Sequence, residues 1–192
     1  AKADKLENDF LAILRKEDRQ IEMVNCYYTA SNTLVEKDDF KRAEEYINKC
    51  DAFLESLSVS AKEKIYSHKS QLRLLLNDIE GAKRYKEFAI SNSTHAVVKL
   101  NNRVDLAYLI SMQDKGKGIE EFAQTMQEIE SQNLDTLYIY TRVFQGLTSM
   151  YYQAEQYAKG IEILHSVKER YTSKYGSNLP VYAEICNLIG VG

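Results

Sequence analysis

The sequence has no tryptophan, a single proline and only eight glycines in 192 residues. An all-β fold needs frequent turns, and these residues supply too few of them. Its apolar runs, such as the one at residues 72–76 that Arg73 interrupts, are far shorter than the roughly 20 residues of a membrane-spanning helix. With 44% hydrophobic and 28% charged residues, the chain can bury a continuous core. We therefore expect a helical, folded protein without a membrane span in this segment.

Cysteines are few and no charge predominates. Cys26, Cys50 and Cys186 lie far apart and form no CxxC pair, which is typical of reduced core residues and not of a disulfide framework. This favours a reducing compartment, and we predict the cytoplasm, with a periplasmic sensor region as the alternative. The formal net charge of -3 predicts no direct contact with nucleic acid, because phosphate binding needs clustered basic surface.

No catalytic or metal-binding pattern is present in the sequence. His68, His95 and His165 are far apart, with no HExxH motif and no histidine pair four residues apart. Gly116, Lys117 and Gly118 lack the long loop and the following hydroxyl residue of a phosphate-binding loop, and they are better explained as a turn between helices. We therefore predict no enzymatic activity, no metal and no cofactor.

Hydrophobic residues recur every three or four positions along most of the chain, which is the period of amphipathic helices. These helices fall into pairs separated by short polar turns. We predict hairpins at residues 21–56, 61–92, 97–131 and 136–172, an N-terminal helix at 4–16, and a last helix at 178–190. Pro180 suits the first turn of that last helix. The pattern predicts one all-α domain spanning residues 1–192.

A small residue near the start of each second helix defines a repeat. Ala43, Ala82, Gly118 and Gly160 are equivalent in this frame and are 36 to 42 residues apart. Because packed helices interdigitate without voids, a small side chain at this point allows the two helices of a hairpin to approach closely. A period of this length indicates a solenoid of stacked hairpins.

This spacing resembles the tetratricopeptide repeat (TPR) over residues 21–171. The family expects another small residue twelve positions earlier, in the first helix; Ser31, Ser70 and Thr148 satisfy this and Leu106 does not. The chain departs from the family in lacking its tryptophan, its strict Leu-Gly pair and its closing proline. The resemblance implies a right-handed α-solenoid of about four antiparallel hairpins, and a non-enzymatic module that binds a protein or an extended peptide.

Long, irregular repeats of this kind are similar to two regulatory groups. One is the peptide-pheromone receptors of Gram-positive bacteria, and the other is the sensor region of bacterial transcription regulators and histidine kinases. The resemblance implies the regulatory or sensor part of a larger bacterial signalling or transcription-regulating protein. Leu188, Ile189 and Gly190 look like the small-residue site of a fifth repeat whose second helix is missing, so we expect the chain to continue or to end against a neighbour. The alternative is a structural scaffold that forms a homo-oligomer through its terminal helices.

In this repeat family the first helices line the inner curve, and their side chains away from the hairpin core face a ligand. Amide and guanidinium groups there can pair with the backbone or the terminal carboxylate of an extended peptide. The repeat frame places the following residues on this face: Asn25, Tyr28 and Asn32 from the first repeat; Lys64, His68 and Gln71 from the second; Asn102 and Arg103 from the third; and Arg142, Gln145 and Tyr152 from the fourth.

Overall fold

The computed structural model describes residues 9–14, 19–177 and 180–191, and these residues contain helices and turns without a β-strand. The prediction of an all-α fold is confirmed. The chain divides into two compact units, Ala1–Ser93 (unit 1) and Thr94–Gly192 (unit 2). The division falls between the second and third predicted hairpins, and the single domain of residues 1–192 stays a prediction.

Unit 1 contains two helix hairpins. Residues 9–14, within the predicted N-terminal helix, are helical, and the rest of that predicted helix lies outside the described residues. Leu11 and Leu14 are buried in the core of the unit, together with Tyr27 and Ile47. The helices are α1 (Gln20–Val35), α2 (Phe40–Asn48), a 3-10 helix (Lys49–Ser56), α3 (Val59–Leu75) and α4 (Ile79–Ser91).

Unit 2 contains two further hairpins and a last helix. Its core is separate and includes the fully buried aromatic side chains of Phe122, Tyr140 and Phe144. The helix at Tyr138–Gln153 packs against both the helix before it and the helix after it, as expected for stacked hairpins. The helices are α5 (Ala96–Ser111), α6 (Lys115–Ser131), α7 (Tyr138–Gln153), α8 (Tyr157–Tyr175) and α9 (Pro180–Val191).

The small residues lie where the two helices of each hairpin come closest. Ala43 and Ala82 are fully buried, and Gly118 and Gly160 are buried as well. A Cβ atom added to Gly118 would lie 2.4 Å from the Cβ of Ser111, and one added to Gly160 would lie 2.6 Å from a ring carbon of Tyr152. Larger side chains would therefore force the paired helices apart.

A buried hydroxyl reinforces this contact in unit 1. The Oγ of Ser31 donates to the carbonyl of Ala43 at 2.7 Å, and the Oγ of Ser70 donates to the carbonyl of Ala82 at the same distance. Thr148 occupies the corresponding place in the fourth hairpin, and its Oγ1 is buried without a hydrogen bond to the described residues. In unit 1, the small residue of each first helix is thus a serine, and its hydroxyl joins the two helices of the hairpin by a hydrogen bond.

Three of the four hairpins share one type of turn. Asp38, Asn77 and Glu155 have left-handed backbone conformations, with φ of 58°, 61° and 58°. In each case the next residue occupies the N-cap position of the second helix, and its N–H donates to the carbonyl five residues earlier. This is the hydrogen bond of a Schellman-type helix end, which needs one residue of positive φ.

The third hairpin has a turn that is one residue shorter. The N–H of Asp114 donates to the carbonyl of Ile110, only four residues earlier, and no residue of this turn has a positive φ. Because this turn is shorter, each position of the repeat falls one residue later in α5 than the spacing of the other hairpins predicts. The fully buried Ala107, and not Leu106, occupies the place of Ser31 and Ser70. The apparent mismatch at Leu106 therefore has a structural cause in the turn.

We predict that Gly118→Ala lowers the free energy of unfolding by about 1–3 kcal/mol, because its new methyl group would overlap Ser111 across the hairpin. Urea denaturation followed by circular dichroism measures this change. Gly116→Ala in the same helix is the matched control, since its Cβ would have only Asp114 Oδ1 nearby, at 3.4 Å. The control should be neutral or slightly stabilising. An equal loss in both variants would contradict the close helix approach at Gly118.

Candidate functional site

The predicted site residues of unit 1 lie on α1 and α3 with different exposures. Asn25, Lys64 and Gln71 are exposed, and Tyr28 and Asn32 are half-buried. Asn25 also borders a groove of about 580 Å³ between α1 and α2. These five side chains lie at or near the surface of the first helices.

His68, the sixth predicted residue of unit 1, is only 5% exposed and joins the two hairpins from inside. Its Nε2 lies 2.8 Å from the Oγ of Ser31, and its ring lies 5.1 Å from that of Tyr28. Ser31 donates its single hydroxyl proton to the carbonyl of Ala43, so the Nε2–H of His68 must donate to Ser31. We therefore leave His68 out of the candidate surface.

Burial lowers the pKa of His68 below its ordinary value of 6.5. The unfolded chain takes up a proton near that ordinary value, whereas the folded chain resists protonation. His68 therefore contributes stability at neutral pH, and this contribution is lost as the pH falls from about 6.5 through the folded-state pKa.

We predict that the free energy of unfolding decreases between pH 7.5 and pH 5, and that His68→Gln reduces this decrease. The glutamine amide can still donate to Ser31 but does not titrate in this range. Urea titrations of both proteins across the pH range measure the effect, and the comparison concerns the pH dependence and not the absolute stability. Identical pH dependence in the two proteins would exclude His68 as the titrating group.

In unit 2, the one-residue shift of α5 changes which side chains reach the surface. Asn102 is only 4% exposed. The guanidinium of Arg103 crosses to the second helix of its own hairpin, where it pairs with Glu128 and lies 3.9 Å from Glu121. The residue of α5 that is equivalent to Asn25, Lys64 and Arg142 is Asn101, which lies six positions before the small residue of its helix, as those three do.

Arg142 connects the two neighbouring first helices of unit 2. Its Nη1 donates to Oδ1 of Asn101 and its Nη2 donates to Oδ1 of Asp105, each at 2.7 Å. The side chains of Arg142 and Asp105 are 30% and 37% exposed, so this network is open to solvent. Asn101 and Asp105 were missed by the sequence analysis, and the signal that could have found them is the short turn after α5.

Gln145 extends the same row of contacts to the last helix. Its Nε2 donates to Oε1 of Glu184 on α9 at 2.5 Å. We call the row of polar side chains on α5, α7 and α9 the first-helix surface of unit 2, and the exposed polar residues of α1 and α3 the first-helix surface of unit 1. Tyr152 is placed differently, because its ring packs on Gly160 inside the fourth hairpin.

A groove of about 460 Å³ separates α7 from α9. Tyr138 stands at its edge with 73% of its surface exposed, whereas Thr141 is buried. Pro180 and Val181 supply an aliphatic side. The complete lining is Thr136, Tyr138, Thr141, Gln145, Pro180, Val181 and Glu184.

Several other titratable groups make structural contacts. The buried Lys69 pairs with Asp51 at 2.6 Å, and Tyr140 donates to Glu130 at 2.9 Å. Burial raises the pKa of the Cys50 thiol to about 11, so this thiol is protonated at neutral pH and is a weak nucleophile. Across the described residues, no three His, Cys, Asp or Glu side chains are grouped so that they could hold a metal ion. In the same part of the chain, no helix has the length and apolar character needed to cross a membrane.

Comparison with known proteins shows the fold and gives no close relative. No protein-family model matches the sequence, and no curated protein matches it. Solved structures similar to this chain include the nearly identical TPR-like repeats of a kinesin light chain-type protein from Podospora anserina and a variant of the same protein. Each is 12% identical with a TM-score of 0.66, and the match covers 88% of this chain and 84% of the other. The chain therefore has the fold of a TPR-like helical-repeat solenoid, as the resemblance implied.

Proposed function

We propose that this chain is a non-enzymatic binding module whose first-helix surfaces hold an extended peptide or a segment of a partner protein. Helical-repeat proteins of this architecture present extended surfaces made by successive repeats, and such surfaces are used for binding. The observation that carries the proposal is one position of the repeat frame. It is occupied by an amide or a cationic side chain in every repeat: Asn25, Lys64, Asn101 and Arg142.

These side chains are suited to a peptide backbone. An extended peptide presents N–H and C=O groups on both sides, and amides can satisfy both kinds because they donate and accept. Asn25, Lys64 and Gln71 are exposed on the first helices of unit 1, where a ligand can reach them. In unit 2 the contacts made by Arg142 and Gln145 hold the polar groups of three helices in fixed positions before a ligand binds, which reduces the entropic cost of binding.

The proposal includes a role for the module in its parent protein. We infer that it is the regulatory or sensor part of a larger bacterial signalling or transcription-regulating protein, and that it acts in the cytoplasm. Support for this role comes from the long, irregular repeats, which are similar to those of peptide-pheromone receptors and of repeat-bearing sensor regions. In such a protein, peptide binding would act by shifting the population of conformations towards the one that the peptide favours.

Selection of a random twelve-residue phage-displayed peptide library on the full chain tests the binding function. We expect enriched peptides whose affinity falls about tenfold in the double variant Asn25→Ala/Gln71→Ala or in Asn101→Ala/Gln145→Ala, because each change removes hydrogen bonds to the ligand. Fluorescence anisotropy with the labelled synthetic peptides measures the affinity.

The matched controls are Lys41→Ala on α2 and Gln124→Ala on α6, which change exposed side chains of second helices. Their affinities should stay within about twofold of the unchanged protein, because surface substitutions away from a site have small effects. Failure to enrich any peptide, or an equal loss in the second-helix variants, would refute binding at the first-helix surfaces.

A further inference from the structure

The groove between α7 and α9 in unit 2 combines a polar floor with an aromatic edge and an aliphatic side. Its floor is the Gln145–Glu184 contact, its exposed edge is Tyr138, and Pro180 and Val181 form the aliphatic side. The volume of about 460 Å³ lies within the range of sites that hold small molecules or ligand side chains. We propose that this groove binds an arginine side chain of the partner segment. The proposal rests on the proposed function and specifies the chemistry of its ligand.

The hydrogen bond between Gln145 and Glu184 leaves two oxygen atoms in the floor of the groove, and both are acceptors. The carboxylate of Glu184 can only accept, so the amide of Gln145 must direct its nitrogen toward it, as observed at 2.5 Å. This orientation leaves Oε1 of Gln145 as an acceptor. Among the described residues, the second carboxylate oxygen of Glu184 also has no donor. A ligand that satisfies both oxygens must supply at least two N–H or O–H donors.

The charge around the groove selects a cation. Glu184 is the only charged side chain among the seven residues that line it. Arg142, a cation on the same surface, is already engaged by Asp105 and Asn101 and does not line the groove. A positive ligand group would therefore find an acidic floor without a competing basic side chain.

The walls favour arginine over lysine. A guanidinium is planar, stacks on aromatic rings and is more weakly hydrated than an ammonium group. The exposed ring of Tyr138 offers such a stacking surface, and the side chains of Pro180 and Val181 can contact the methylene groups of the arginine. The fork of guanidinium N–H donors also matches two neighbouring acceptors, which a single ammonium matches less well.

Two tripeptides that differ in one functional group, a charged guanidinium or a neutral urea, test the proposal on the full chain. The probes are acetyl-Gly-Arg-Gly-amide and the same peptide with citrulline, whose urea group has nearly the shape of guanidinium but no charge. NMR titration of the isotope-labelled protein measures both affinities. We expect the arginine peptide to bind about tenfold more tightly, because charge-assisted hydrogen bonds are roughly twice as strong as neutral ones. Its binding should shift the side-chain amide signals of Gln145.

Variants assign the preference to the groove. Glu184→Gln keeps the shape of the side chain and should make the two peptides bind within about twofold of each other, because the charge-assisted bond is lost. Tyr138→Ala should weaken the arginine peptide about threefold by removing the stacking surface. Glu162→Gln, at an exposed position of α8, is the control and should leave the preference unchanged.

Equal binding of the two peptides to the unchanged protein, or an arginine preference that survives in Glu184→Gln, would overturn the arginine site. This failure is distinct from failure of the proposed function. Library peptides that depend on the first-helix surfaces but contain no basic residue would refute the arginine site and leave the binding function standing. An arginine preference at the groove without any enriched library peptide would support the arginine site and refute peptide binding at the first-helix surfaces.

Discussion

The close approach of two helices at one small residue is the constraint on which the rest of this structure depends. Wherever Ala43, Ala82, Gly118 or Gly160 meets the first helix of its hairpin, no larger side chain fits without moving the backbone or a packed neighbour. That contact fixes how each helix is rotated about its axis. Once the rotation is fixed, the residues that face the core and those that face solvent follow from the helical period of 3.6 residues.

The first-helix surfaces are therefore a consequence of core packing. Arg142 reaches Asn101 and Asp105 because the small-residue contacts turn α5 and α7 so that these side chains meet. The same rotation brings Gln145 to Glu184 and opens the groove beside Tyr138. A polar surface arranged in this way has its hydrogen-bonding groups oriented before any ligand arrives, which is the property that a peptide-binding module needs.

The all-α class and the four small residues could be predicted from the sequence, because both follow from the regular spacing of hydrophobic and small residues along the chain. Asn102 and Arg103 were placed on the ligand-facing side because the third turn was assumed to have the length of the others. Whether a turn includes a left-handed residue depends on small energy differences, and Glu155 adopts that conformation although glutamate does not favour it. The burial of His68 depends on Ser31, 37 residues away, and no local pattern contains that information.

A double-mutant cycle tests most directly whether α5 is rotated by the one-residue shift of its repeat frame. The free energies of unfolding of Asn101→Ala, Arg142→Ala and the double variant give the coupling between the two side chains. The same cycle with Asn102 in place of Asn101 provides the comparison. The structure predicts a coupling of about 0.5–1.5 kcal/mol for Asn101, because Arg142 donates to its Oδ1 at 2.7 Å, and a smaller coupling for the buried Asn102. Coupling at Asn102 and its absence at Asn101 would show that the third repeat keeps the frame of the other three.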